Sequence, residues 1–289
     1  NSNVITLAGP TESMVETSDA KSIYAAVRST SQVYTIDVAN ATVNSTSITV
    51  PSVRRVALSH NNSKLLAFSD NADTLNVITF SSTDPAGAHT GPSIVSGLDR
   101  PFFGVFSSDD SKAYVLNCGP ECGGRAASVA VLDMTQDPPT VISTLPVPAA
   151  TVALIDSGKL YVAGTAVSAG NSTGIGQLTI IDLGSFTPVG NPIQIGNGFH
   201  SLLSLAANNK LFVGARTCTT ECLSIVDLSG SAATIATDPG DVTGIAPIPG
   251  RNVVYVTVGG ELRIYDTTTS KPQANQLDIV GTAAGVVAP

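Results

Sequence analysis

Two short runs share one grammar, Asn117-Cys118-Gly119-Pro120-Glu121-Cys122 and Thr217-Cys218-Thr219-Thr220-Glu221-Cys222. Each sets two thiols three residues apart, with a Glu ahead of the second. Such a pair can close its loop as a disulfide, lend two thiolates to a metal, or stay reduced. An even number of cysteines in matched places points to two local disulfides, Cys118–Cys122 and Cys218–Cys222. So small a ring removes little entropy from the unfolded chain, so its work is to hold the loop's shape. A four-thiolate zinc site would need the two loops to converge, and the spacing is longer than the commonest zinc knuckle.

The other reactive side chains are scarce. The histidines are His60, His89 and His200. His60 falls in a polar turn and His89 in the loop Pro85-Ala86-Gly87-Ala88-His89, both in solvent-facing contexts. His200, in Gly196-Asn197-Gly198-Phe199-His200, opens an apolar strand and could face a channel. A nucleophile relay would need such a histidine beside a serine and a carboxylate. The chain has no Gly-x-Ser-x-Gly elbow, and Ser201 beside His200 is not one. Asp70-Asn71-Ala72-Asp73 gathers oxygen donors but lacks the length and distal Glu of a calcium loop. Gly123-Gly124 and Gly259-Gly260 have no Lys or helix behind them to cradle a phosphate. No catalytic residue and no protein-bound metal is therefore assigned. A calcium ion in a central channel is the one cofactor left open.

The elements that would carry these loops recur along the chain. A polar turn is followed by Lys, then aromatic and β-branched residues, then a second apolar strand ending in Asp. Lys159-Leu160-Tyr161-Val162 with Leu178-Thr179-Ile180-Ile181-Asp182 is the clearest copy. Lys210-Leu211-Phe212-Val213 with Leu223-Ser224-Ile225-Val226-Asp227 is another. Further copies close on Asp37, Asp133 and Asp266, and a degenerate one at Lys64–Thr79 lacks the Asp. Because those aspartates recur with the repeat, they read as turn formers. Two more short apolar stretches fall between copies, so each unit holds four strands. Apolar spacing of two, never three and four, excludes helices. Six units of about 45 residues, four strands each, are the signature of a β-propeller. The inner strands are expected near residues 14–18, 55–59, 103–107, 151–155, 200–206 and 242–248. Terminal stretches Val4–Leu7, Gln276–Val280 and Gly285–Ala288 read as strands by which one end completes the other end's blade. A seventh blade would need about 45 residues more than the chain has.

The run Pro101, Val105-Phe106-Ser107, Asp109, Lys112-Ala113-Tyr114-Val115 resembles the YVTN-type repeat of bacterial and archaeal propeller proteins. The resemblance extends from about Thr17 to Gly281. It implies the propeller fold and admits surface-layer, periplasmic and lactonase-like activities without choosing among them.

Bulk composition narrows the partners. Of 289 residues only 12% are charged, and the net charge is −8 with a pI near 4.7. That disfavours duplex nucleic acid and anionic membrane surfaces, which bind through Lys and Arg. No run of 18 apolar residues offers a membrane span. The first residues show neither the basic nor the apolar part of a leader. Either the protein is cytoplasmic or a leader has been removed, and with the cysteines the expectation is an extracytoplasmic protein without its leader. Its arginines are uneven. Arg28, Arg125 and Arg216 fall between second and third strands of their repeats. Arg54, Arg55 and Arg100, with Asp99, Asp241 and His200, lead into inner strands on the same blade face. The long stretches 117–127 and 164–176 also open there. The expectation is a single-domain, monomeric, non-enzymatic propeller binding a protein, peptide or glycan through that face. A lactonase-like or other hydrolase and a structural cell-envelope role are the alternatives.

Overall fold

The computed structural model describes residues 4–81, 84–167, 174–230, 233–278 and 285–286. These form strands throughout, with two short 3-10 turns at Arg28–Thr30 and Gly119–Cys122. Six antiparallel meanders follow one another. Sheet 1 is Ser13–Glu16, Ser22–Val27, Gln32–Asp37 and Thr42–Thr49. Sheet 2 is Val53–Leu58, Lys64–Ser69, Leu75–Ser81 and Asp84–Val95. Sheet 3 is Pro101–Phe106, Lys112–Asn117, Ser128–Asp133 and Thr140–Pro146. These three fall in one compact unit, Asn1–Pro146, and the rest in a second, Val147–Pro289. Sheet 4 is Val152–Asp156, Lys159–Ala166 and Ile175–Asp182, its outer strand broken into Thr187–Pro188 and Ile193–Ile195. Sheet 5 is Phe199–Ala206, Lys210–Arg216, Leu223–Asp227 and Ala233–Ala236, and sheet 6 is Val242–Pro247, Val253–Val258, Glu261–Asp266 and Lys271–Asp278.

The six first strands fall where the repeat placed them. Within the first unit, the first strand of sheet 2 packs against the first strands of sheets 1 and 3. Within the second, the first strand of sheet 5 does the same between sheets 4 and 6. The core is accordingly layered between neighbouring sheets. Tyr24, Val33, Val56 and Ile78 bury together between sheets 1 and 2. Leu66, Phe68, Val115 and Leu132 do so between sheets 2 and 3, and Phe212, Val242, Val256 and Tyr265 between sheets 5 and 6. Side chains point alternately from a strand, so one sheet can bury both faces against two neighbours. That is why the strands read as near-continuous apolar runs.

The repeating polar residues build the turns. In sheet 1, Thr17 Oγ1 donates to Asp19 and receives the backbone N–H of Ser22. Ser59 with Asn61 and Lys64, and Ser107 with Asp109 and Lys112, repeat the pattern. These bonds hold the Asp109 carboxyl down at about 2, Ser107 contributing most and Ser111 next. The aspartates that close third strands cap the next turn: Asp133 accepts from Thr135, Asp182 from Ser185 and Asp266 from Thr268. Their carboxyls are held below the ordinary value by those same bonds.

Four expectations change. Residues 4–7 form no strand, and Val4 is 85% exposed: an apolar run without a partner ladder stays irregular. Gly285–Val286 is no strand either, though it lies close to Gly244, where a Cβ would meet the Val286 nitrogen at 2.5 Å. Residues 279–280 and 287–288 fall outside the described residues. His89 is in the long outer strand of sheet 2, opposite Phe80, rather than in a loop. Residues 164–166 and 175–176 likewise continue strands of sheet 4, pairing Gly164 with Gln177; 168–173 lie outside the described residues.

Candidate functional site

Both cysteine pairs are disulfides, Cys118–Cys122 and Cys218–Cys222. The first closes the 3-10 turn Gly119–Cys122, and Asp99 straps that loop to the chain before sheet 3. Its carboxylate accepts from the backbone N–H of Arg125, at 2.9 Å, and of Ala126, at 2.8 Å. Gly124 is required there, since a Cβ would meet the Asp99 carboxylate at 2.3 Å. Asp99 therefore serves the loop's shape. The side chain of Arg125 is exposed, and its backbone makes the contacts.

The first unit brings four of the sequence-selected arginines together. A register shift between Val53 and Arg55 interrupts the ladder of sheet 2 at Arg54. In a regular strand consecutive side chains would face opposite ways. Here both guanidiniums reach one ring: Arg55 is 4.3 Å and Arg54 5.6 Å from the Phe102 centroid. Arg55 also lies 5.8 Å from Phe103. Such contacts are worth about 0.5–1 kcal/mol each at an exposed surface. Arg28, following the second strand of sheet 1, and Arg54 share one carboxylate, Asp70, at 2.5 and 3.2 Å. Asp70 is 14% exposed, while the two arginine side chains are 48% and 43% exposed. Arg100 has φ 56° and turns back onto the same loop, donating to the Asn71 carbonyl and lying 3.8 Å from Asp73. The result is a ledge in which Arg54 and Arg55 lie over Phe102, and Arg28, Arg54 and Arg100 are tied to the loop of Asp70 and Asp73.

In the second unit the selected residues do not form such a group. His200 is 1% exposed. Its Nε2 lies 3.0 Å from the Gly196 carbonyl, its Nδ1 3.3 Å from Thr165 Oγ1, and its own carbonyl accepts from Thr151. Burial drives its pKa down to about 4, so the neutral ring is the folded form. That is a core histidine tying sheets 4 and 5, with no access for a substrate. Arg216 is exposed, opposite Phe199 in the ladder. Asp241 carries a carboxylate oxygen within 4.8 Å of the Cys218 and Cys222 sulfurs, but those sulfurs are bonded to each other.

Sequence reasoning weighed Asp70 and Asp73 only as a calcium loop and set them aside, and it passed over Phe102-Phe103. An aromatic pair directly after Arg100-Pro101 was the available signal. It also missed a tight group in sheet 6, where Arg263 pairs with Asp238 and Glu261 and the buried Tyr265 hydroxyl donates to Asp238.

No protein-family model matches the chain, and no curated protein matches it. Solved structures do. A chain of Kuenenia stuttgartiensis hydrazine synthase superposes with TM-score 0.71 at 13% identity, covering 99% of this chain and 91% of its own. U3-55K gives 0.69 at 12% identity, covering 98% and 86%. The WD40 repeats of RRP9 give 0.68 at 12% identity, covering 98% and 84%. With six four-stranded meanders, the chain has the fold of the β-propeller class. At such identities the likeness speaks for the scaffold alone.

Proposed function

We propose that this chain is a non-enzymatic binding module, one six-bladed domain of the YVTN-type repeat kind, working in an oxidising, extracytoplasmic setting. Its ligand is a peptide or glycan bearing carboxylate or sulfate groups, held on the arginine ledge. The observation that carries the reading is the placement of Arg54 and Arg55 over Phe102 by the register shift in sheet 2. Four guanidiniums face two carboxylates there, in a chain whose net charge is −8. Planar guanidiniums offer paired donors to a carboxylate or sulfate, and the aromatic floor keeps them oriented. The local disulfides support export, since such bonds persist in oxidising compartments. A lactonase-like reading has less support, because His200 is enclosed by Gly196, Thr165 and Thr151.

The test is an array of sulfated and carboxylated oligosaccharides and acidic peptides. Arg54→Ala with Arg55→Ala should weaken the best binder by about 1–3 kcal/mol. Arg55→Lys, which keeps the charge but loses the planar fork, should recover only part of it. Lys64→Ala with Lys112→Ala, at the turns that open second strands, should leave binding as it was. Binding that follows the lysines and ignores the arginines would remove the ledge from consideration.

A further inference from the structure

The turns between first and second strands are stitched to their neighbours in most of the chain. Asn62, with φ 61°, exchanges bonds with Ser18 across sheets 1 and 2. Asp110 accepts from the His60 and Asn61 backbones and meets the His60 ring at 2.8 Å, joining sheets 2 and 3. Asn208 donates to Asn252 and Thr267, joining sheets 5 and 6. The stitches of sheets 1 to 3 join long turns, 17–21, 59–63 and 107–111, whereas Asn208 reaches the long turn 248–252 from a short one. In sheet 4 the turn shrinks to residues 157–158 and in sheet 5 to 207–209. Ser157-Gly158 is too short to carry the Ser-x-Asx frame and its reaching side chain. A cleft of about 440 Å³ lies at this place, lined by Asp156, Lys159, Tyr161, Asn209 and an apolar floor of Leu205 and Leu228, among others. Its size falls in the range of small-molecule sites.

Tyr161 gives the cleft a chemical direction. The ring is buried, the residue being 4% exposed, while its hydroxyl is not among the buried unpartnered polar atoms and lines the cleft. Tyr34 and Tyr265, by contrast, donate to Thr30 and Asp238. A hydroxyl that opens on a cleft can both donate and accept, and so can pair with a polar ligand in place of water. Around it stand one cation, Lys159, one anion, Asp156, and the amide of Asn209. Charge is balanced, and donors and acceptors are mixed. An ionic ligand would leave one of the two charges opposed, whereas vicinal hydroxyls can donate to Asp156 and accept from Lys159 at once. The floor of Leu205 and Leu228 suits the C–H face of a sugar ring.

We propose that the cleft between sheets 4 and 5 binds a neutral saccharide of one or two rings, with Tyr161, Asp156, Lys159 and Asn209 as its polar contacts. The site is separate from the arginine ledge and does not depend on it.

The experiment is an NMR titration of the full chain with glucose, galactose, mannose, maltose, cellobiose and lactose. At least one should shift the methyl signals of Leu205 and Leu228 and the amide signals of Asn209. Tyr161→Phe, which removes no internal hydrogen bond, should weaken that saccharide about fivefold, the worth of one neutral hydrogen bond. Ala206→Phe, which fills the floor, should abolish the shifts. Arg54→Ala with Arg55→Ala should leave them intact, so the two sites are judged independently. No shift from any saccharide up to about 10 mM would overturn the proposal. So would saccharide shifts that survive both Tyr161→Phe and Ala206→Phe. Acetate or citrate moving the same signals while every saccharide fails would overturn it too.

Discussion

At the scale of single residues, His200 gives a pH dependence with a definite sign. Its folded pKa is near 4 because burial opposes the charged ring, while an unfolded histidine titrates near about 6.5. The unfolded chain therefore binds the extra proton first. Stability from this group is fully present above about pH 6.5, falls as pH drops toward 4, and changes no further below that. The loss is on the order of 3 kcal/mol. Urea unfolding between pH 7 and 4.5 should show this slope in the native chain and lack it in His200→Gln; equal slopes would mean the ring is not enclosed. The cysteines give a second prediction. Denatured, unreduced protein should titrate no thiol, and a dithiol reductant should release all four. Pairing was legible from the matched Cys-x3-Cys runs. The burial of His200 was not, because a residue near a strand's start faces core or solvent according to a neighbouring sheet that sequence does not display.

At the scale of elements, the strand pairs and their closing aspartates were readable because each rests on local periodicity and local hydrogen bonds. The stitches between turns were not, since Asp110 reaches His60 across 50 residues. Nor was the ledge: a register shift decides which way Arg54 points, and nothing around Val53 announces it. The stitching can be measured. Asp110→Ala removes three acceptor contacts from a side chain only 8% exposed, and should cost about 1–3 kcal/mol in urea unfolding. Asp156→Ala, at the unstitched turn of sheet 4, should stay within about 0.5 kcal/mol. Equal costs at the two sites would mean that the stitches add nothing to stability.

For the whole molecule, repetition made the fold legible and at the same time concealed the function, because the same six meanders serve any ligand. The chain divides at Pro146 and Val147 into units of three sheets each. If it is one cooperative domain, calorimetry should give a single transition whose van't Hoff and calorimetric enthalpies agree. Two resolved transitions would make each unit a folding domain. The outer strands bear on a different property. Among the described residues, every sheet ends in a strand with one edge outside the ladder, a template for joining another copy. Only 12% of residues are charged, so repulsion alone gives thin protection. Proline supplies another barrier. Pro92 lies beside a register break in sheet 2, Pro188 ends the first piece of sheet 4's divided strand, and Pro272 sits next to a break in sheet 6. A proline offers no N–H to an incoming strand, and a broken ladder cannot be extended in register. Such interruptions oppose edge-to-edge joining of copies, and replacing Pro188 and Pro272 with threonine should bring on β-rich aggregation well below the unfolding temperature.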